Sequence, residues 1–469
     1  MLSRRQSVLS VQNPWQDIKE TAYQVATNEI HPSVPPDDLP CLQQQMALCV
    51  HSPGGEVTAR AQTAELGRTY LRLNETGRAA FLRLLAGSFD LDHQALAGIA
   101  KDYCACTDAD AAQKLEVALR HALVAPRTTI LRQLTALPDG FKFLVNMRAD
   151  LQPLIGSDAA LKGLEFDLKT ILSSWFDVGL LDLVELSWSS PAALLEKLIE
   201  YEAVHPIASW DDLKNRLDID RRVFAFFHNK MPSEPLIFVH VALVKGMSDN
   251  VQALLDEKSP VLDVREANSA IFYSISNAQK GLAGISFGNF LIKRVVSRLA
   301  EDLPHIKSYA TLSPIPGLRA WLDPLLQQGD ESILLPAEQT LLRHLAQEDN
   351  AAQGLLRLMQ ELGFRDAAIN AALKPILLRL GAHYLLEEKK AARADVPAPL
   401  DPVANFHLFN GARLERINWM GDFSARGLKQ SAGLMVNYNY DLAYIDANHE
   451  EFVVQGQIVA SGQVRRCLD

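Results

Sequence analysis

The sequence predicts a two-domain α+β fold, with an all-α domain over residues 1–185 and an α/β domain over 186–469. Three observations predict it. From about 57 to 185 the apolar residues recur at helical spacing, and several short apolar runs that are typical of strands follow after residue 220. Helical spacing then returns over about 323–400 before strand-like residues resume after 430. We interpret 323–400 as a helical insertion in the second domain.

The clearest helix of the first domain lies in "SDAALKGLEFDLKTILSSWF", where Ser157 is a candidate N-cap. Its apolar residues follow steps of three and four and form one stripe. These residues are Leu161, Leu164, Leu168, Ile171 and Trp175. Strand-like alternation is scarce before 186, so the sequence predicts several antiparallel helices there.

The second domain begins with a short helix in "SWDDLKNRL", where Ser209 and Asp212 have the spacing of a capping box. Four predicted strands follow, and the first two form a hairpin-like unit. They cover 221–228, 236–244, 269–276 and a part of 308–313. Because these runs are continuously apolar rather than alternating, we expect both faces of the sheet to be covered.

Composition and charge exclude several classes of protein. The formal net charge of -10 argues against a nucleic-acid-binding protein, and the chain lacks the run of about 18 apolar residues that a membrane span needs. The 5 cysteines show neither a disulfide framework nor metal-ligand spacing, so we expect no structural metal. The first 20 residues lack the apolar region of a secretory signal. A mitochondrial presequence stays an alternative, although Asp17 and Glu20 come early for one. A reducing cytoplasm is the simplest compartment.

A glycine-rich segment, "NAQKGLAGISFGN" (277–289), precedes a helix with apolar residues at steps of four. Glycines at the start of a helix leave backbone N–H groups open to an anion, and the helix dipole favours negative charge there. Nearby cations could add to such a site: Lys280, Lys293, Arg294 and Arg298. The pattern matches neither a dinucleotide fingerprint nor a P-loop. A tight turn between a strand and a helix explains it equally well.

Two further residues are candidates for chemistry. Ser313 lies in "YATLSPIPGL", where Pro314 favours extended geometry at the serine and thereby holds its hydroxyl rigidly. His407 lies on a short predicted helix that is capped by Asp401 and stopped by Gly411. The alternatives are a serine that ends a strand at a turn and a structural, half-buried histidine. We interpret His205, His228 and His240 as structural.

Five segments, in this order and spacing, resemble the malonyl-CoA decarboxylase family, most strongly over about 170–445. They are "HPIASWDDLKNRL", "SAIFYSISNAQKGLAGISFGNFLIKRVV", "SYATLSPIPGLRAWL", "NFHLFNGARLERINWMGDFS" and "GLMVNYNY". The resemblance implies decarboxylation of malonyl-CoA to acetyl-CoA and carbon dioxide. It also implies a GNAT-like (acetyltransferase-like) catalytic domain and a helical domain that forms a homo-oligomer, a tetramer arranged as a dimer of dimers.

The resemblance also assigns site residues. Ser313, His407 and Tyr440 match the catalytic positions, with Ser313 orienting a thioester enolate and His407 protonating it. The residues that match the CoA-binding segment are Ala283, Gly284, Ile285, Ser286, Phe287, Gly288 and Asn289. No cofactor is implied, because the thioester itself accepts the electrons that decarboxylation releases.

Two departures from the family pattern matter. Some relatives, including the animal enzymes, have a glutamate at the position of Ser286, so the resemblance does not extend to an acid–serine relay in this chain. The chain also ends in "RRCLD" instead of a peroxisomal S-K-L, which favours a cytoplasmic enzyme. A CoA-dependent acyltransferase and a non-catalytic scaffold that binds malonyl-CoA are the alternative functions.

Overall fold

The computed structural model describes residues 30–51, 55–176, 178–285, 291–360, 364, 366–390 and 396–469. These residues form two compact units. The first contains the described residues of 1–177 together with Gln279–Ile285, and the second contains Val178–Ala278 and the described residues of 286–469. The chain therefore combines a helical N-terminal part with a mixed α and β C-terminal part. The domain boundary drawn between 185 and 186 stays a prediction.

The first unit is helical in the part of the chain that the structure describes. Its helices are α1 (Leu39–Val50), α2 (Gly55–Arg72), α3 (Glu75–Ser88), α4 (His93–Ala105), α5 (Ala109–Ala122), α6 (Arg127–Thr135), α7 (Gly140–Leu151) and α8 (Ala159–Trp175). The predicted stripe of α8 is buried at Leu161, Leu164, Leu168 and Ile171. Its N-cap is Asp158, which accepts hydrogen bonds from two backbone N–H groups. The assignment of this cap to Ser157 was wrong, because the extended backbone that a cap requires lies at Asp158.

The second unit is built around a mixed sheet. Its strands are β1 (Leu181–Leu186), β2 (Arg221–His228), β3 (Met231–Val244), β4 (Ser269–Asn277), β5 (Ser308–Thr311), β6 (Ser313–Pro314), β7 (Lys389–Lys390), β8 (Ala398–Pro399), β9 (Arg413–Asn418) and β10 (Met435–Asn439). Its helices are α9 (Ala192–Tyr201), α10 (Trp210–Arg216), α11 (Val251–Leu255), α12 (Leu291–Asp302), α13 (Leu318–Gln327), α14 (Pro336–Ala346), α15 (Ala351–Gln360), α16 (Ala367–Leu386), α17 (Pro402–Phe409), α18 (Ala425–Ser431), α19 (Ile445–Gln455) and α20 (Gly462–Arg465). None of the described helices of the chain is both long and apolar enough to cross a membrane.

Within the described residues, the main sheet has eight strands in the order β1-β2-β3-β4-β5-β10-β6, and β9 pairs with β10. The β4–β5 pair is parallel and its neighbours are antiparallel. Almost every residue of β2 and β4 is buried, which confirms that both faces of the sheet are covered. The predicted hairpin of β2 and β3 is also confirmed.

The pairing of β4 with β5 stops at Phe272 and Thr311, although β4 continues to Asn277. On its other side, β4 has a bulge, because His240 pairs with Ser274 while the next residue of β3 pairs with Phe272. Tyr273 is therefore the extra, unpaired residue of the bulge. The sheet opens between β4 and β5 at the point where β5 ends.

One expectation about the strands needed correction. The prediction of helix as far as 185 was wrong at its end, because Leu181–Leu186 forms β1 and pairs along its whole length with β2. Pairing with β2 stabilises this extended backbone. The fourth predicted strand is confirmed, because β5 lies within 308–313, and Ser313 at the end of this run belongs to β6, which also pairs with β10.

Helices α13–α16 lie in the region predicted to be helical and share an apolar core, but the prediction was wrong at its end, because helix stops at Leu386 and β7 pairs with β8. Nearer the sheet, the carboxylate of Glu202 is completely buried and accepts hydrogen bonds from the hydroxyls of Ser274 and Ser276 at 2.7 and 3.0 Å. His240 Nε2 lies 3.1 Å from the same carboxylate. The backbone N–H groups of Val204 and His205 also donate to it, at 2.8 and 2.9 Å. This network holds the loop after α9 against the sheet.

Candidate active site

Ser313 and His407, the proposed catalytic pair, are hydrogen-bonded to each other. Ser313 Oγ lies 2.9 Å from His407 Nε2, although 94 positions separate the two residues along the chain. Ser313 is 7% exposed and His407 is 3% exposed. The pair is therefore shielded from bulk water, which strengthens each polar interaction that it makes.

The strand β6 positions Ser313. Its backbone pairs with Val436 of β10, which is the extended geometry that the following proline favours. The Ser313 hydroxyl donates to Thr311 Oγ1 at 2.9 Å. Thr311 Oγ1 also accepts the backbone N–H of Tyr438 at 3.1 Å, so the serine is tied to two strands of the sheet.

The helix α17 positions His407. Asp401 caps this helix as predicted, because its Oδ1 accepts the N–H groups of Val403 and Ala404 at 2.9 and 2.8 Å. Pro402 occupies the first turn and Gly411 ends the helix with φ of +78°, a conformation that glycine adopts without strain. His407 occupies the last turn and is buried.

Asp401 also connects the helix of His407 to the loop that follows Ser313. Its Oδ2 accepts the backbone N–H of Gly317 at 3.3 Å, and the carboxylate also accepts a hydrogen bond from the hydroxyl of Tyr384. Burial raises the pKa of the Asp401 carboxyl, and the three backbone N–H donors oppose that rise. A Cβ atom at Gly317 would overlap the Tyr384 hydroxyl, which explains the glycine in "SPIPG".

Two tyrosines contact the imidazole: Tyr438 lies in β10, and Tyr440 follows directly after this strand. The hydroxyl of Tyr440 lies 2.8 Å from His407 Nδ1. The ring of Tyr438 stacks on the imidazole with ring centroids 4.5 Å apart. Burial raises the pKa of Tyr440 well above its usual value, so its hydroxyl keeps its proton.

The hydrogen bonds assign one consistent pattern of protons. Burial lowers the pKa of His407 to about 3, so the imidazole is neutral near pH 7. Because the single Ser313 proton goes to Thr311, His407 Nε2–H donates to Ser313 Oγ, and Tyr440 O–H donates to Nδ1. The result is a continuous line from Tyr440 through His407 and Ser313 to Thr311. The Ser313 hydroxyl and the His407 Nε2–H group therefore lie side by side.

Sequence reasoning missed Thr311 and Tyr438. Each stands two positions before a proposed site residue, Ser313 and Tyr440 respectively. Alternate residues of a strand share a face, so a two-residue period was the signal that could have found both. The hydrogen bond between Asp401 and Gly317 joins residues 84 positions apart, and no local sequence pattern indicates it.

The proposed CoA-binding segment is described only at Ala283, Gly284 and Ile285, while Ser286, Phe287, Gly288 and Asn289 lie outside the described residues. The described part belongs to the first unit, where Arg148 of α7 donates to the carbonyl groups of Gly281 and Ala283 at 2.5 and 2.9 Å. A Cβ atom at Gly281 would overlap the Val145 carbonyl. Packing against α7 therefore requires this glycine.

The four cations near the segment differ in their surroundings. Lys280 belongs to the first unit and the other three to the second. Lys293 forms an ion pair with Asp446 at 2.7 Å, and Arg298 forms one with Asp302 at 2.6 Å. Arg294 donates to the Leu181 carbonyl at 2.8 Å.

The described residues contain no group of three or more His, Cys, Asp or Glu side chains that could hold a metal ion. His205 and His240 belong to the buried surroundings of Glu202. His228 Nδ1 accepts the backbone N–H of Lys230 at 3.1 Å.

The chain is similar to known families and proteins over most of its length. Residues 179–469 match the model of the malonyl-CoA decarboxylase C-terminal domain, and residues 89–176 match that of the N-terminal domain. The mitochondrial malonyl-CoA decarboxylase of Anser anser anser is 38% identical over 87% of this chain and 83% of its own length. That of Rattus norvegicus is 37% identical over 87% of this chain and 85% of its own length.

Solved structures give the same result. The crystal structure of malonyl-CoA decarboxylase from Rhodopseudomonas palustris matches with a TM-score of 0.80 and 40% identity, over 92% of this chain and 99% of that one. The enzyme from Agrobacterium vitis matches with a TM-score of 0.80 and 37% identity, over 91% of this chain and 99% of that one. The chain thus belongs to the malonyl-CoA decarboxylase family.

Proposed function

We propose that the chain decarboxylates malonyl-CoA to acetyl-CoA and carbon dioxide without a cofactor. The observation that carries the proposal is the buried line of hydrogen bonds through Ser313, His407 and Tyr440 in a chain of this family. The chemistry needs no external electron sink. When the bond between the carboxylate carbon and the methylene carbon breaks, its electron pair moves into the thioester and forms an enolate.

Ser313 orients the reacting group in this proposal. Strand pairing and Thr311 fix the position of its oxygen, and its proton turns from Thr311 to the thioester oxygen as negative charge develops there. The described partners of Ser313 Oγ are a hydroxyl and an imidazole, and neither is a carboxylate. An acid–serine relay is therefore not needed in the proposed mechanism.

His407 protonates the methylene carbon of the enolate. Burial keeps the imidazole neutral before substrate arrives, but an anionic substrate beside it favours the protonated form. The imidazolium then gives its Nε2 proton to carbon, and solvent replaces that proton after product leaves. Tyr440 holds Nδ1 and thereby orients the ring.

The second unit is proposed to be GNAT-like, and residues 283–289 to bind CoA. The parallel β4–β5 pair that separates beyond Phe272 and Thr311 supports the first proposal, because the sheet opens beside the site. The left-handed backbone of Gly284, with φ of +70°, supports a tight backbone turn in the segment.

Oligomerisation and compartment are also proposals. We propose a homo-oligomer, a tetramer formed through the helical unit, and light scattering of the purified chain tests it. We also propose a cytoplasmic location. The five cysteines are free, which agrees with a reducing compartment.

The direct test is to incubate the purified chain with malonyl-CoA and no acceptor, and to measure carbon dioxide and acetyl-CoA. We expect both products in equal amounts. Turnover that requires an added amine or alcohol would indicate an acyltransferase. Binding of malonyl-CoA without turnover would indicate a scaffold.

A further inference from the structure

A basic groove of about 860 Å³ lies beside the loop that follows Ser313. Helices α13 and α18 form its walls. Its lining includes Pro316, Arg319, Asp323, Gln327, Arg426 and Lys429. The volume lies within the range of small-molecule sites. Three cations and one carboxylate line it, in a chain whose formal net charge is -10.

The cations of the groove differ in how far they are neutralised. Arg319 forms an ion pair with Asp323 at 2.5 Å. Within the described part of the chain, no carboxylate pairs with Arg426 or Lys429, and both side chains are exposed. The groove therefore has two cations that an anion can approach.

Backbone carbonyl groups hold the side chain of Arg426 in place. Its Nη1 donates to the carbonyl groups of Ala203 and Val204 at 2.9 and 3.1 Å. The buried Glu202 carboxylate holds this same loop through the N–H groups of Val204 and His205. Because one edge of the guanidinium is fixed by the backbone, its other nitrogens lose little freedom on meeting an anion.

The groove also has a suitable position and length. Pro316 stands three positions after Ser313, and Gln327 ends α13, a helix of 10 residues and so about 15 Å long. The phosphates of CoA are separated from the thioester by the flexible pantetheine arm. A site for them must therefore be remote from Ser313, and the groove begins beside the loop of Ser313 and extends along α13.

A second basic pocket is a weaker candidate. It has a volume of about 390 Å³ and is lined by Lys293, Arg294 and Arg298 among others. Carboxylates already neutralise Lys293 and Arg298.

We infer that the basic groove binds the phosphate groups of the CoA substrate through Arg426 and Lys429. The inference rests on the proposed function. The guanidinium and the ammonium donate charge-assisted hydrogen bonds to phosphate oxygens. They raise the affinity for substrate and leave the decarboxylation step to Ser313 and His407.

The test measures steady-state kinetics of the full chain as wild type, Arg426→Gln, Lys429→Gln and the double variant. Lys258→Gln, which removes an exposed cation elsewhere in the second unit, is the matched control. The substrates are malonyl-CoA, malonyl-dephospho-CoA and malonyl-pantetheine. We expect each groove variant to raise KM for malonyl-CoA about tenfold with little change in kcat, while the control resembles the wild type.

With malonyl-pantetheine, which has no nucleotide phosphates, we expect the groove variants and the wild type to share one KM. If the effect already vanishes with malonyl-dephospho-CoA, the groove binds the 3′-phosphate. If it vanishes only with malonyl-pantetheine, the groove binds the pyrophosphate. An unchanged KM for malonyl-CoA in the double variant, or an equal rise with malonyl-pantetheine, would overturn the inference.

Two further measurements test the inference if a variant does not fold or if the wild type is inactive. If Arg426→Gln does not fold, Lys429→Gln carries the test, because Lys429 is exposed. If the wild type releases no carbon dioxide, the proposed function fails, and calorimetric titration with CoA itself then tests the groove. Weaker CoA binding by the variants would support the inference, and equal binding would overturn it.

Discussion

Asp401 accepts a hydrogen bond from the backbone N–H of Gly317, 84 positions earlier in the chain. The same carboxylate caps the helix of His407, while Gly317 belongs to the loop of Ser313. One buried side chain thus sets the distance between the two proposed catalytic residues. We therefore expect stability and activity to be coupled at this position.

We expect Asp401→Asn to lower kcat by about 10–100-fold, because a small displacement of His407 relative to Ser313 is costly. The loss of stability should stay near 1 kcal/mol, since asparagine is also a good N-cap. Kinetics with urea unfolding measure both quantities. Asp366→Asn is the matched control, because Asp366 caps α16 in the same way, with Oδ1 accepting two N–H groups. Equal activity in both variants would show that Asp401 only caps its helix.

We expect His407→Asn to lower kcat by about 10²–10⁴-fold, the usual scale of general acid–base catalysis, with a much smaller change in KM. Ser313→Ala should also act mainly on kcat. Because the two side chains act as one hydrogen-bonded unit, the double variant should be little worse than the worse single variant. Steady-state kinetics, with circular dichroism as the folding control, measure these effects. Fully multiplicative losses would mean that the two residues act independently.

We expect Tyr440→Phe to lower kcat by about tenfold or more, because the imidazole loses the partner of its Nδ1. Tyr309→Phe is the matched control. The Tyr309 hydroxyl is buried and donates to the Ile306 carbonyl at 3.2 Å, away from the imidazole. Similar kcat values for both variants would contradict a role of Tyr440 in orienting His407.

The buried imidazole predicts a dependence of stability on pH. Burial lowers the pKa of His407 from 6.5 to about 3, so between these values the unfolded chain binds a proton that the folded chain does not. The stability contributed by the neutral form is therefore complete above pH 6.5 and declines as the pH falls towards 3. From pH 7 to 5 this residue should cost about 2 kcal/mol of unfolding free energy.

Urea unfolding at pH 7 and pH 5 measures this loss. His407→Asn should lose less stability between the two pH values than the wild type does. The substitution of the exposed His121 by asparagine is the control and should behave as the wild type. If all three proteins lose the same free energy, His407 does not titrate as the structure indicates.

Much of the local structure around the site could be predicted from the sequence. The cap at Asp401, the helix end at Gly411 and the extended backbone of Ser313 before Pro314 were predicted and are confirmed. The cap of α8 was misplaced by one residue. Ser157 and Asp158 are both good caps, and only the backbone conformation distinguishes them.

The sequence alone determined which short segments are helical or extended, because capping, proline geometry and apolar spacing act between near neighbours in the chain. The five segments that resemble the family also pointed to Ser313, His407 and Tyr440. Only the tertiary structure decided that these side chains form one line of hydrogen bonds, that His407 is neutral and that Arg426 is anchored by a distant loop. The distances between side chains, their burial and the local electrostatic field depend on residues far apart in the chain, and no local pattern encodes them.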